Sequence, residues 1–235
     1  RDSSSFTQRL LANNGSLTFG IGDVTVTGRM LTFQTLQDPG APIVPPYDRA
    51  PQLTATQSRT DLRGGLETYL EADFTRFRSA SAFGILGVPS GSVFDQPNAD
   101  RTYLLAQVSR PWRAPGWFVI PKMQAHLRSY SFDGPIANGA TSASRAVPTF
   151  SLDSGLVFER DASFFGRAFR QTLEPRAFYV YTPFVDQNYL PNYDSGLNDF
   201  NFATVYTENA FGGNDRISDS NLLTLGATTR LLDPD

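Results

Sequence analysis

From Leu66 to Thr75, apolar and polar side chains alternate without a break. Leu66, Thr68, Leu70, Ala72 and Phe74 fall on one face, and Glu67, Tyr69, Glu71, Asp73 and Thr75 on the other. A period of two is the mark of a strand, because successive side chains leave opposite faces of the backbone. The pattern recurs along the chain. Leu17, Phe19 and Ile21 share a face; Val24, Val26 and Met30 oppose Thr25, Thr27 and Arg29. Trp117, Val119, Pro121, Met123, Ala125 and Leu127 oppose Lys122, Gln124, His126 and Arg128. Phe150, Leu152, Ser154, Leu156 and Phe158 oppose Ser151, Asp153, Val157 and Glu159. Leu173, Pro175, Ala177, Tyr179 and Tyr181 oppose Thr172, Glu174, Arg176, Phe178 and Val180. Leu223, Leu225, Ala227, Thr229 and Leu231 oppose Leu222, Thr224, Gly226, Thr228 and Arg230. Strands are therefore expected at residues 6–21, 24–35, 52–59, 66–76, 101–110, 117–130, 149–159, 171–184 and 220–232, about nine in all.

The connections between these strands alternate in length. Short turns fall near Gly22, Gly64, Pro115 and Phe164, and long loops around Pro45, Val88, Asn138 and Asn198. An antiparallel meander with short turns at one rim and long loops at the other is the pattern of an outer-membrane β-barrel, periplasmic at the short rim and extracellular at the long one. Charged residues are 18% of the chain, below the roughly 25% of soluble domains, while aromatic residues reach 13%. Trp117, Tyr179 and Tyr181 lie near strand ends, where interfacial girdles belong. No run approaches the ~18 apolar residues of a membrane helix, which leaves a closed barrel open as a way to span. The fold class expected is all-β, an antiparallel transmembrane barrel of which this chain forms an incomplete arc. Nine strands with unpaired edges cannot close in lipid. A soluble β-sandwich shares the alternation but has shorter strands.

Chemistry is sparse. There is no cysteine, and His126 is the only histidine, so neither a zinc site nor a His-dependent triad is expected. Glu67, Glu71 and Asp73 at period two, with Tyr69 among them, read as a water-facing wall rather than a glycosidase pair. Asp215 and Asp219 beside Gly212-Gly213-Asn214 match no calcium loop and read as turn chemistry. No catalytic, cofactor or metal site is expected, and a net charge of −3 argues against nucleic acid. Lumen-facing positions are expected at Glu67, Glu71, Asp73, Lys122, His126, Arg128, Asp153, Glu159, Glu174, Arg176 and Arg230, with Arg29 among them. Lipid-facing positions are expected at Leu66, Leu70, Phe74, Leu152, Leu156, Leu223 and Leu225. Pro121 and Pro175 lie inside strands and are expected at bulges, since proline removes a ladder hydrogen bond. Residues 185–218 form the longest loop, with a short helix expected at 202–209 and the whole segment folding over the barrel mouth.

Several long strings carry a resemblance. LEPRAFYVYTPF from Leu173, DQNYLPNYDSGLNDFNFA from Asp186 and TENAFGGNDRISDSNLLTLGATTRLLD from Thr207 are the longest. FQTLQDPGAPIVPPYD from Phe33, RAPGWFVIPK from Arg113 and PTFSLDSGLVFERD from Pro148 precede them in matching order. Together they resemble the barrel domain of the LptD lipopolysaccharide-assembly family, also called the organic solvent tolerance family. The resemblance implies the central part of that barrel across residues 1–235, with the N-terminal periplasmic domain and the terminal strands outside this chain. It implies a Gram-negative outer-membrane translocon that passes the saccharide of lipopolysaccharide through its lumen and releases the acyl chains by a lateral gate. It also implies an LptE-like lipoprotein plug and periplasmic Lpt bridge proteins as partners, with membrane lipid around the wall and no enzymatic step. A passive porin-like channel is the alternative among barrels.

Overall fold

A computed structural model describes residues 10–36, 46–79, 97–164 and 166–233. The expected loop centres at Pro45 and Val88 lie outside the described residues. Thirteen strands follow in chain order: β1 (Leu10–Ile21), β2 (Val24–Thr35), β3 (Asp48–Leu62), β4 (Leu66–Arg78), β5 (Ala99–Ser109), β6 (Trp112–Ala114), β7 (Trp117–Phe132), β8 (Ser142–Leu156), β9 (Phe158–Phe164), β10 (Arg167–Thr182), β11 (Gly196–Leu197), β12 (Phe211–Gly212) and β13 (Ser220–Leu232). Nine of them form one antiparallel meander in the order β1-β2-β3-β4-β5-β7-β8-β10-β13; β6 pairs with β7, β9 with β10, and β11 with β12 in a separate ribbon. The sheet does not close, so β1 and β13 are its two ends.

The hairpin chemistry explains the short rim. Ile21 pairs with Val24 across Gly22-Asp23, and Gly22 takes a φ of 62°. Glycine with positive φ at the first central position is what a type II′ turn needs to follow the strand twist. Leu62 pairs with Leu66 around Gly64 and Gly65, both at positive φ. Strands run longer than the alternation alone indicates. β8 begins at Ser142 rather than at 149, and β3 spans Asp48–Leu62 rather than 52–59. The polar stretches at these strand ends pair as well as the apolar ones, because the ladder bonds backbone to backbone whatever the side chain.

Pro121 and Pro175, the two prolines expected at bulges, occupy breaks in a neighbouring ladder. The β5–β7 ladder ends at Ser109 and Lys122, and pairing resumes with Trp112 and Val119. Pro121 sits in that gap, where its carbonyl accepts from the Arg110 N–H at 3.2 Å. On β10, pairing passes from Leu173–Phe158 to Arg176–Gly155, skipping Pro175, while the Val157 N–H turns to the Gly116 carbonyl at 2.8 Å. The missing proline donors fall where no partner strand would receive them.

Register carries each side chain to one of two faces. One face is covered by residues 183–219, the connection from β10 to β13; it is called the loop face below, and the other the bare face. Exposed large residues of the bare face include Leu17, Leu66, Leu70, Leu156, Leu223 and Leu225. The buried cluster lies on the loop face towards the long-connection rim, where Phe77, Ala99, Tyr130, Phe132, Ile136, Leu190 and Tyr193 pack together. The Tyr193 ring stacks on Phe77 at 4.7 Å and meets Tyr47 edge-on at 4.9 Å.

Candidate functional site

Among the described residues, the densest chemistry lies where residues 183–219 dock on the loop face. Arg101 on β5 is fully buried and faces three carboxylates. Its Nη1 donates to Asp215 Oδ1 at 2.9 Å, and its Nη2 to Asp194 Oδ2 at 2.8 Å and Asp73 Oδ1 at 3.4 Å. Asp215 also accepts from the Tyr130 hydroxyl at 2.8 Å and from the backbone N–H groups of Tyr193 and Asp194 at 2.6 and 2.7 Å. Asp73 is held by Gln52 and Thr54 from β3 and by Thr75 on its own strand. Burying a guanidinium is tolerable only with this many acceptors in place. The Arg101 guanidinium also lies 4.9 Å above the Phe77 ring.

Charge coupling divides the two loop carboxylates. Burial pushes Asp194 up, but the hydrogen bond and charge of Arg101 outweigh it and hold the group at about 2. Asp215, more deeply buried, is raised by that burial, and the negative Asp194 beside it adds to the push against the pull of Arg101.

A second docking point lies deeper along the strands. Lys122 Nζ donates to Glu208 Oε1 at 2.8 Å, and Ser151 Oγ to the same oxygen at 3.0 Å. Arg176 is clamped by Asp153 at 2.8 and 2.9 Å and lies 4.2 Å from the Tyr206 ring. Register places Gly155 and Gly226 on either side of Arg176. Phe118 folds over the first and the Tyr206 hydroxyl over the second, so a Cβ at Gly226 would lie 1.9 Å from that oxygen. The glycines leave the space that Phe118 and the Tyr206 hydroxyl occupy against the wall. Gly226→Ala should tilt Tyr206 off Arg176, seen as faster proteolysis within 183–219.

The loop is braced internally as well. Ser195 Oγ accepts from the N–H groups of Asp215 and Arg216, and the Asn209 amide bonds Phe211, Arg216 and Ser218. Gly213 has a φ of 77°, and a Cβ there would stand 2.3 Å from the Asp194 carbonyl oxygen. Gly213→Ala is therefore expected to cost about 1–3 kcal/mol of backbone strain and to loosen the Asp194–Arg101 contact. Protease sensitivity of 183–219 in the folded protein would measure it.

The expected charged positions divide cleanly. Glu67, Glu71, Asp73, Lys122, His126, Arg128, Asp153, Glu159, Glu174, Arg176 and Arg230 all lie on the loop face, and so does Arg29, which pairs with Gln52. Asp73 and Arg128 join the cluster around Arg101 and Asp215, while others form separate pairs: Glu67 with Arg113, Glu159 with Arg170, Glu174 with Arg230 and Glu71 with the Tyr69 hydroxyl. His126 is buried against the Tyr103 hydroxyl, with Nδ1 2.9 Å away. Arg128 reaches the Asp215 carbonyl and Gln187. Leu66, Leu70, Phe74, Leu152, Leu156, Leu223 and Leu225 all lie on the bare face.

Two readings of the loop need correction. No helix forms at 202–209; the segment turns, with a single helix-type bond from the Val205 N–H to the Asn201 carbonyl. Its run of Thr204, Val205, Tyr206 and Thr207 favours other conformations, and the wall draws Tyr206 and Glu208 apart. Nor does the loop only roof a rim, since it runs down the strand face as far as Lys122 and Arg176. Asp215, read from sequence as turn chemistry, is the acceptor at the centre of the docking cluster. Arg101, Asp194, Tyr206 and Glu208 escaped sequence reasoning. Arg101 stands alone on an otherwise uncharged strand face with Tyr103, Leu105 and Gln107, and that isolation was the only available signal.

Comparison with known proteins gives one consistent answer. The family model described as LptD, LPS transport system D, matches residues 3–235. An LPS-assembly protein LptD of a Polaromonas species is 58% identical over 99% of this chain. The proteins of the same name from an Acidovorax species and from Ralstonia nicotianae are 57% and 40% identical, each over 97% of the chain. The chain spans 27–28% of the length of these relatives.

Proposed function

The chain belongs to the LptD family, and from that premise we propose that its sheet is a section of the wall of an outer-membrane translocon that inserts lipopolysaccharide into the outer leaflet. The bare face meets lipid. The loop face looks into a wet lumen through which the saccharide passes, while the acyl chains leave by a lateral gate. No bond is made or broken, and the protein is not an enzyme. An LptE-like lipoprotein plug shares the lumen, and periplasmic Lpt bridge proteins deliver the substrate to a domain outside this chain. Residues 1–235 are one contiguous piece of the barrel domain, in the outer membrane of a Gram-negative cell.

The observation that carries this reading is the contrast between the faces. Every ionisable residue expected at the lumen is on the loop face, while the bare face presents Leu66, Leu70, Leu156, Leu223 and Leu225 with nothing over them. An apolar surface of that extent is not left to water. The mixed charges opposite suit a hydrated saccharide and a protein plug.

Depletion of the full-length protein in its own cells tests the proposal. Lipopolysaccharide should fall at the surface and accumulate inside. Unchanged surface lipopolysaccharide with reduced small-solute permeability would instead establish a porin-like channel.

A further inference from the structure

Across the bare face, one row of paired residues runs Trp112, Val119, Ser154, Ala177 and Leu225. Its ends are large and its middle small. The break opposite Pro175 adds to the dip, since the ladder skips that residue and Val157 turns away to Gly116. The result is a groove of about 650 Å³, walled by Trp117, Val119, Leu156, Pro175, Ala177 and Leu225. Arg176 is the one charged residue in the lining, and its guanidinium is engaged by Asp153 on the loop face.

At the Trp112 end of the row stands a cation. The Arg110 guanidinium lies 5.1 Å over the Trp112 ring and, among the described residues, pairs with no carboxylate. Register puts it one position beyond the Ser109–Glu67 pair, level with Leu66 and next to the short turn at 63–65. Trp112 and Trp117 are both exposed beside it. An unpaired guanidinium with tryptophans at the end of an apolar trough is complementary to a phosphate ester attached to a hydrocarbon chain.

We propose that this groove is a phospholipid site: one acyl chain lies over Ser154 and Ala177, and the phosphate is held by Arg110 at the short-turn rim. The assignment rests on the bare face meeting lipid, as proposed above. It adds a fixed position for one lipid where that reading needs only a solvent of many.

Photo-crosslinking of the full-length protein in phosphatidylethanolamine vesicles tests it, with a phosphatidylglycerol probe bearing a diazirine on its acyl chain. Labelling should be several-fold higher on the peptides carrying Val119, Leu156 and Ala177 than around Leu70, which lies on the same face away from the groove. Arg110→Gln and Ala177→Trp should each bring the groove down to the Leu70 level. Equal labelling at both places in the unmodified protein would overturn the site and leave the lipid-facing reading intact. So would groove labelling that Arg110→Gln leaves unchanged. Labelling at neither place would overturn the face assignment itself.

Discussion

Replacing Arg101 with methionine should release residues 183–219 from the sheet. The substitution leaves Asp73, Asp194 and Asp215 buried without their common partner. Removing one member of a buried ion pair costs about 3–5 kcal/mol, because the remaining charge stays desolvated and unpaired. The loop carboxylates are relieved by taking up a proton or by swinging out, and swinging out takes Tyr193 and its stacking on Phe77 with them. Chemical unfolding of the full-length protein in micelles should show the loss. Limited proteolysis should show cleavage within 183–219 before any strand is cut. Arg101→Lys keeps one charge but not the fork that reaches Asp215 and Asp194 at once, so it should fall between the two. An unchanged midpoint together with unchanged protease resistance would mean that the remaining contacts, Lys122–Glu208, Arg176–Tyr206 and Arg128–Gln187 among them, hold the loop without Arg101.

The second large effect belongs to the other face. Leu225→Arg should destabilise the protein in a bilayer by roughly 2–4 kcal/mol if the position lies near the midplane. Thr228→Arg, three residues on and paired with Glu174 on the loop face, should cost little. Leu225 is 71% exposed, so on a water-exposed surface the same change would stay within about ±0.5 kcal/mol. The experiment thus separates lipid from water directly, by comparing refolding yields of the two variants into vesicles. Equal tolerance would move the lipid contact away from β13.

How far the sequence reached depends on the range of the physics involved. The meander was legible because alternation is local: Glu67 to Phe74 divides between two faces whatever lies elsewhere in the chain. Glycines such as Gly22 and Gly64 marked the short rim for the same reason. Strand ends were less legible. Ser142 to Val147 carries no alternation of greasy and wet residues, yet it pairs with β7 through backbone groups common to all residues. Pro121 and Pro175 announced interruptions but not which neighbour had the gap.

The sequence by itself determined the number of main strands, the two faces and the positions of the charges upon them, because a period of two follows from bond geometry alone. Only the tertiary structure decided where residues 183–219 go and which acids meet Arg101. Asp194 and Asp215 lie 93 and 114 residues beyond Arg101 in the chain. No periodicity spans such a distance; what joins them is the cost of leaving a buried guanidinium unpaired, a cost that exists only once the sheet has formed and the loop has covered it.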